Sequence, residues 1–174
     1  SDALAHLLIA EGIGPEDFVA IAVPRSLEWI IALWATAKTG AAWVPVDPRY
    51  PAERIDHILA DSGAKLCLTV RNSPVAPPGT PAIAVDHPEL LEQLRTTPDN
   101  PVRSHHRVGP LTLDNPAYLI YTSGTTGVPK GVVVSHHGLV DFTSEQVQRF
   151  GVETDSVTLP VSYTHLTLPT NREV

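Results

Sequence analysis

The stretch Phe18 to Val46, FVAIAVPRSLEWIIALWATAKTGAAWVPV, decides the fold. Phe18 to Val23 is a continuous apolar run of the kind buried on both faces of a parallel sheet, and Pro24 ends it. Ser26 is placed to cap a helix in which Leu27, Ile30, Ile31, Trp34 and Ala35 recur at helical spacing. Gly40 stands where the helix C-terminus needs a left-handed residue. Ala41 to Val46 is the next short strand, with Pro45 predicting an edge or a bulge. Strand, helix and strand in this order make a βαβ unit with a right-handed crossover. The expected class is therefore α/β: a layered, mostly parallel sheet with flanking helices.

The flanking sequence extends the same pattern. Leu4, Leu7, Leu8 and Ile9 form an apolar stripe, which predicts a helix over residues 1 to 11 closed by Gly12. After the stiff loop Asp47 to Pro51, Ala52 to Asp61 reads as a helix with Ile55, Ile58 and Leu59 inward, followed by a strand over Leu66 to Val70. Asp47, Glu53 and Arg54 read as a capped helix start with a surface ion pair. Asn72 to Pro81 is proline-dense loop. Ile83 to Asp86 is a short strand, and Glu89 to Arg95 a short helix on Leu90, Leu91 and Leu94. Thr96 to Asp114 is loop. There His105 and His106, with Arg103 and Arg107 nearby, lack the ligand spacing of a zinc set and read as solvated. His136 to Phe150 reads as a helix on Leu139, Phe142, Val147 and Phe150, stopped by Gly151, with His136 packing or capping locally.

The 174 residues, 43% of them apolar, suffice for one ordinary domain with a core. The net charge of −7, with the basic residues scattered, argues against nucleic acid or an anionic membrane as partner. The single cysteine, Cys67, lies in an apolar run and excludes an internal disulfide. No apolar stretch approaches membrane-spanning length and no signal-peptide pattern opens the chain, so the expected compartment is the cytoplasm. The chain lacks methionine and opens at Ser1 in mid-helix, which suggests a piece of a longer protein.

The chemistry concentrates in Ala117 to Ser135, AYLIYTSGTTGVPKGVVVS. An aromatic-apolar strand leads into a loop, and a β-branched run reads as the next strand. Gly124, Gly127 and Gly131 can take positive φ and let backbone N–H groups approach a ligand. Thr122, Ser123, Thr125 and Thr126 supply hydroxyls, and Lys130 adds a mobile positive charge after the stiff Pro129. These are the parts of a phosphate site. It is not a P-loop: Pro129 precedes Lys130 where glycine is required, Gly131 follows it where Ser or Thr is required, and a strand replaces the downstream helix.

The segment YTSGTTGVPKG resembles the signature loop of the adenylate-forming (AMP-binding) superfamily: acyl-CoA synthetases, luciferases and nonribosomal peptide synthetase adenylation domains. A second resemblance lies in RSLEWIIALWATAKTGAAWVPVDPRYPAERIDHILADSGAKLCLT. It is similar to the early core of peptide-synthetase adenylation domains, whose Asp-Pro-x-Tyr-Pro-x-Glu-Arg string acyl-CoA synthetases usually lack. The resemblance implies an N-terminal part of a domain that converts an amino acid and Mg-ATP to an aminoacyl adenylate and pyrophosphate. The acyl group would then pass to the phosphopantetheine thiol of a carrier domain. It also implies that Thr122, Ser123, Gly124, Thr125, Thr126, Gly127 and Lys130 bind nucleotide phosphate. The C-terminal lid and the peptidyl carrier domain are the expected partners, and no catalytic or metal-ligating residue is expected in this segment itself. The alternatives are an acyl-CoA or acyl-AMP ligase of the same superfamily, and an inactive fragment that binds ATP weakly at most.

The family pattern runs to about Asp155. Val161 to Leu166, VSYTHL, resembles one frame of the transposase end sequence used in sequencing libraries. The expected division is therefore 1–159 as adenylation-domain sequence and 160–174 as a non-native tail.

Overall fold

Ser26 starts the first crossover helix as its chemistry requires: its side-chain oxygen accepts the backbone N–H of Trp29 at 3.4 Å, and Gly40 closes the helix with φ 92°. In a computed structural model, residues 1–75, 79–122, 129–153 and 156 are described, with the backbone of 158–159 and 168–169. The helices are α1 (Asp2–Ala10), α2 (Leu27–Thr39), α3 (Ala52–Ser62), α4 (Pro88–Thr96) and α5 (Leu139–Phe150). The strands are β1 (Phe18–Ile21), β2 (Ala42–Pro45), β3 (Leu66–Thr69), β4 (Ala82–Ala84), β5 (Pro116–Thr122) and β6 (Lys130–Ser135). Two further short strands, β7 (Thr158–Leu159) and β8 (Leu168–Pro169), pair with each other in a separate antiparallel ladder.

The main sheet has six strands in the order β4-β3-β1-β2-β5-β6. Every pairing is parallel except the last, β5 with β6. This is the layered α/β sheet that the sequence predicts.

Alternation along the strands splits the core into two layers. Val19, Ile21, Trp43, Leu66 and Leu68 face α1 and α2, against Leu4, Leu8, Trp29, Ala32 and Leu33. Ala20, Val44, Cys67, Leu119 and Tyr121 face α3, against Ile55, Ile58 and Leu59. The crossover β1-α2-β2 runs one way along the sheet and β2-α3-β3 runs back over β1, so crossovers of one hand put α2 and α3 on opposite faces. Cys67 is fully buried in the α3 layer, and burial pushes its thiol up to about 11.

Three details depart from the sequence reading. The buried face of α2 is Trp29, Ala32, Leu33, Ala35, Thr36 and Thr39, while Leu27 and Trp34 are exposed. Pro45 ends a central strand, not an edge strand. Val46 N–H donates to Ile21 O at 3.0 Å and Ala42 N–H to Asp17 O at 2.9 Å, so the alternating N–H of residue 45 would point toward β5. There the β2–β5 ladder holds only the pair Trp43 with Tyr118, and the missing donor costs little.

The third departure is α5, preceded by a short 3-10 turn over His136–Gly138. None of its residues is buried, with Val140 64%, Phe142 53% and Phe150 50% exposed. The apolar stripe is present as read, but no described residue covers it. In this chain Phe142→Gln and Phe150→Gln are therefore expected to change unfolding free energy by less than about 0.5 kcal/mol each, as exposed positions do. Denaturant midpoints test this, and a loss above about 1.5 kcal/mol would show the face to be packed.

Candidate functional site

β5 ends in Tyr121 and Thr122, β6 begins with Lys130 and Gly131, and the hairpin register pairs Tyr121 with Gly131 and Thr122 with Lys130. The candidate loop leaves the carboxyl end of β5, the end at which open α/β sheets bind ligands. Thr122 and Lys130 are both exposed, and Lys130 makes no ion pair among the described residues. Ser123, Gly124, Thr125, Thr126 and Gly127 lie outside the described residues. What the structure gives is the mouth of the loop: a hydroxyl and an ammonium on opposing strands of one rung.

Gly131 plays a different part from the one its sequence context suggests. It is not among the positive-φ glycines. A Cβ there would stand 2.8 Å from Leu119 Cδ1 and 3.3 Å from Tyr121 Cζ, so the residue is bare because two side chains of β5 occupy the space beside it. Tyr121, 9% exposed, donates its hydroxyl to Asp61 Oδ2 at 2.7 Å. Burial, with the Asp61 carboxylate beside it, raises the phenol well above its ordinary value, so it remains a neutral donor. On the other stem, His57 Nε2 lies 3.1 Å from Pro129 O. A carbonyl only accepts, so that ring nitrogen carries the proton. The His57 and Tyr121 rings meet edge-on, 6.2 Å between centroids.

The Asp47 segment proves structural. Asp47, 7% exposed, follows β2 and accepts from Arg49 N and Nε through Oδ1 at 2.9 and 3.0 Å, and from Nη2 through Oδ2 at 2.7 Å. The Arg49 hydrogen bonds hold the Asp47 carboxyl below its usual range. The ion pair read from sequence thus joins Asp47 to Arg49. Arg54 instead stacks on the Tyr50 ring at 4.2 Å, and α3 starts after Pro51 without a side-chain cap.

His136 donates its backbone N–H to Asn115 O at 3.2 Å, and its Nε2 is buried without a hydrogen-bond partner among the described residues. Burial and the nearby Arg107 charge depress its pKa, which favours the neutral ring. His105 stacks edge-on with His106 at 4.1 Å, and His106 Nδ1 accepts from Arg103 N at 2.9 Å. Among the described residues, no group of three or more His, Cys, Asp or Glu is arranged to hold a metal ion. No helix among them is long and apolar enough to cross a membrane.

A family model for AMP-binding enzymes matches residues 1–168. The chain belongs to the AMP-binding enzyme family. Among curated relatives of this AMP-binding chain, a dimodular nonribosomal peptide synthase of Bacillus subtilis (strain 168) is 48% identical over 141 residues. That match covers 78% of this chain and 6% of the relative. Novobiocin biosynthesis protein H of Streptomyces niveus is 40% identical over 156 residues, covering 88% of this chain and 26% of the relative. Among solved structures, the nonribosomal peptide synthetase FmoA3 in an AMPPNP-bound form superposes with a TM-score of 0.74 at 27% identity, over 88% of this chain and 15% of that one. The N-terminal subdomain of Klebsiella oxytoca NpsA gives 0.62 at 28% identity, over 79% and 34%. The AMP-binding chain therefore spans a small part of each of these proteins.

Sequence reasoning missed His57 and Asp61. They sit four residues apart beside the apolar stripe of α3, but their partners lie 72 and 60 positions away. Only that i, i+4 spacing could have flagged them.

Proposed function

We propose that this chain is the N-terminal part, 1–159, of an adenylation domain that activates an amino acid with ATP, with 160–174 a non-native tail. In the reaction the carboxylate oxygen attacks the α-phosphorus, an acyl-phosphate bond forms, and the bond to the leaving pyrophosphate breaks. The observation that carries the reading is the rung Thr122–Lys130. It presents a hydroxyl donor and an ammonium that has no ion pair among the described residues at the mouth of the loop, where the β- and γ-phosphates would lie, and the curated relatives named above include a peptide synthase. Ser123, Gly124, Thr125, Thr126 and Gly127 complete the phosphate grip in this reading.

Lys130 contributes electrostatically, by offsetting charge that builds on the leaving group. The described residues fit phosphate but offer no carboxylate cluster, so Mg2+ would be held chiefly by the nucleotide's own oxygens, as this hard cation commonly is. Bound there, it would neutralise phosphate charge. The acyl group would then pass to a carrier domain's phosphopantetheine, under a C-terminal lid. The proposed compartment is the cytoplasm.

The test is ATP–pyrophosphate exchange by the full-length protein that carries this chain, with amino acids against fatty and aryl acids. Exchange driven by an amino acid is expected. Lys130→Ala removes a charge-assisted hydrogen bond of about 1.5–3 kcal/mol and should slow exchange about 10- to 150-fold. Unchanged exchange in that variant overturns the loop's role, and exchange driven only by fatty or aryl acids moves the chain to the acyl-CoA ligase branch.

A further inference from the structure

We propose that His57 and Asp61 are positioning residues that fasten the two stems of the nucleotide loop to α3, fixing the separation of Thr122 and Lys130 before nucleotide binds. This rests on the reading of the loop as a phosphate site.

The argument is one of placement. Tyr121 immediately precedes Thr122, and Pro129 immediately precedes Lys130. Each stem is thus held at the residue next to the polar group it presents: Tyr121 Oη on Asp61 at 2.7 Å, Pro129 O on His57 at 3.1 Å. His57 and Asp61 lie one turn apart on one helix face, so a single rigid element carries both anchors. α3 is itself fixed, because Ile58 is 1% and Leu59 4% exposed in the sheet core.

Proline makes the second anchor specific. Pro129 has no N–H to give to the hairpin, so its carbonyl is the only backbone group there that can be held. Tyr121 makes the first specific, since its ring packs over Gly131 across the rung, where a Cβ would stand 3.3 Å from Cζ. A hydroxyl and an ammonium that must meet one ligand lose conformational freedom when they bind it. Fixing both ends beforehand reduces that loss and brings the binding groups to one geometry. His57 and Asp61 act through Tyr121 and Pro129.

The experiment measures pyrophosphate exchange by the full-length protein, with ATP and amino acid varied separately. Tyr121→Phe removes one hydroxyl and keeps the ring, so folding is preserved. It is expected to raise KM for ATP about threefold to tenfold, the range of one hydrogen bond, with KM for the amino acid unchanged. His57→Ala should do the same. His57→Gln, whose amide can donate near the position of Nε2, should recover most of the loss. Tyr121→Phe with His57→Ala should exceed the product of the single effects, because either anchor alone still limits the loop.

KM for ATP within twofold of the parent in both Tyr121→Phe and His57→Ala overturns the proposal. So does a loss that follows only the amount of folded protein, or one that His57→Gln fails to repair. If Lys130→Ala is also silent, the phosphate reading has failed. If Lys130→Ala is impaired and the anchor variants are not, only the anchoring has.

Discussion

Gly131→Val is expected to destabilise the hairpin by about 3 kcal/mol and to abolish nucleotide-dependent activity in the full-length protein. Overpacking a filled site costs about 1–3 kcal/mol, and a lost hydrogen bond adds about 1. Both apply here. The first added carbon already falls 2.8 Å from Leu119 Cδ1, and Leu119 is 4% exposed and has little room to turn. The alternative is for the Tyr121 ring to move, which parts its hydroxyl from Asp61. Gly131→Ala should show a milder form of the same loss, and pairing it with Leu119→Ala should recover part of it, because the clash is between those two side chains. Denaturant unfolding of the three variants checks this. A Gly131→Ala protein as stable as the parent would show that the site yields.

Leu68→Ala should have the largest effect on the sheet itself, about 2–5 kcal/mol. Leu68 is fully buried at the middle of β3, between Ile21 of β1 and Ile83 of β4, with the α1–α2 layer above it. Strands on both sides restrain collapse into the cavity, so the cost should lie toward the upper part of that range. The comparison is Leu91→Ala on α4, where the side chain is 48% exposed and the expected change is under about 0.5 kcal/mol. Equal losses at the two positions would contradict the layer assignment.

What the sequence disclosed follows from how local its causes are. Ser26 and Gly40 mark helix ends through chemistry acting within one turn, and the structure places caps at both, with φ 92° at the glycine. The parallel runs and the hairpin were legible for the same reason. The buried face of α2 was not. Trp29 and Trp34 lie on different sides of a helix apolar almost all round, and only the docking of α1 and the sheet selects between them. Pro45 misled because its cost depends on which neighbour its missing N–H would face. At the site, motif length singled out the loop and Lys130 as candidates. The reason for Gly131 and the anchors His57 and Asp61 come from contacts across the fold, which no short window contains.

The sheet's two ends are unequal. β4 is three residues long, whereas β6 runs for six, pairs on one side only among the described residues, and carries Val132 and Val133 about half exposed. Its outer row of amides and carbonyls is a ready template. Among the described residues the longer free edge is therefore on the hairpin side, next to the rung that holds Lys130.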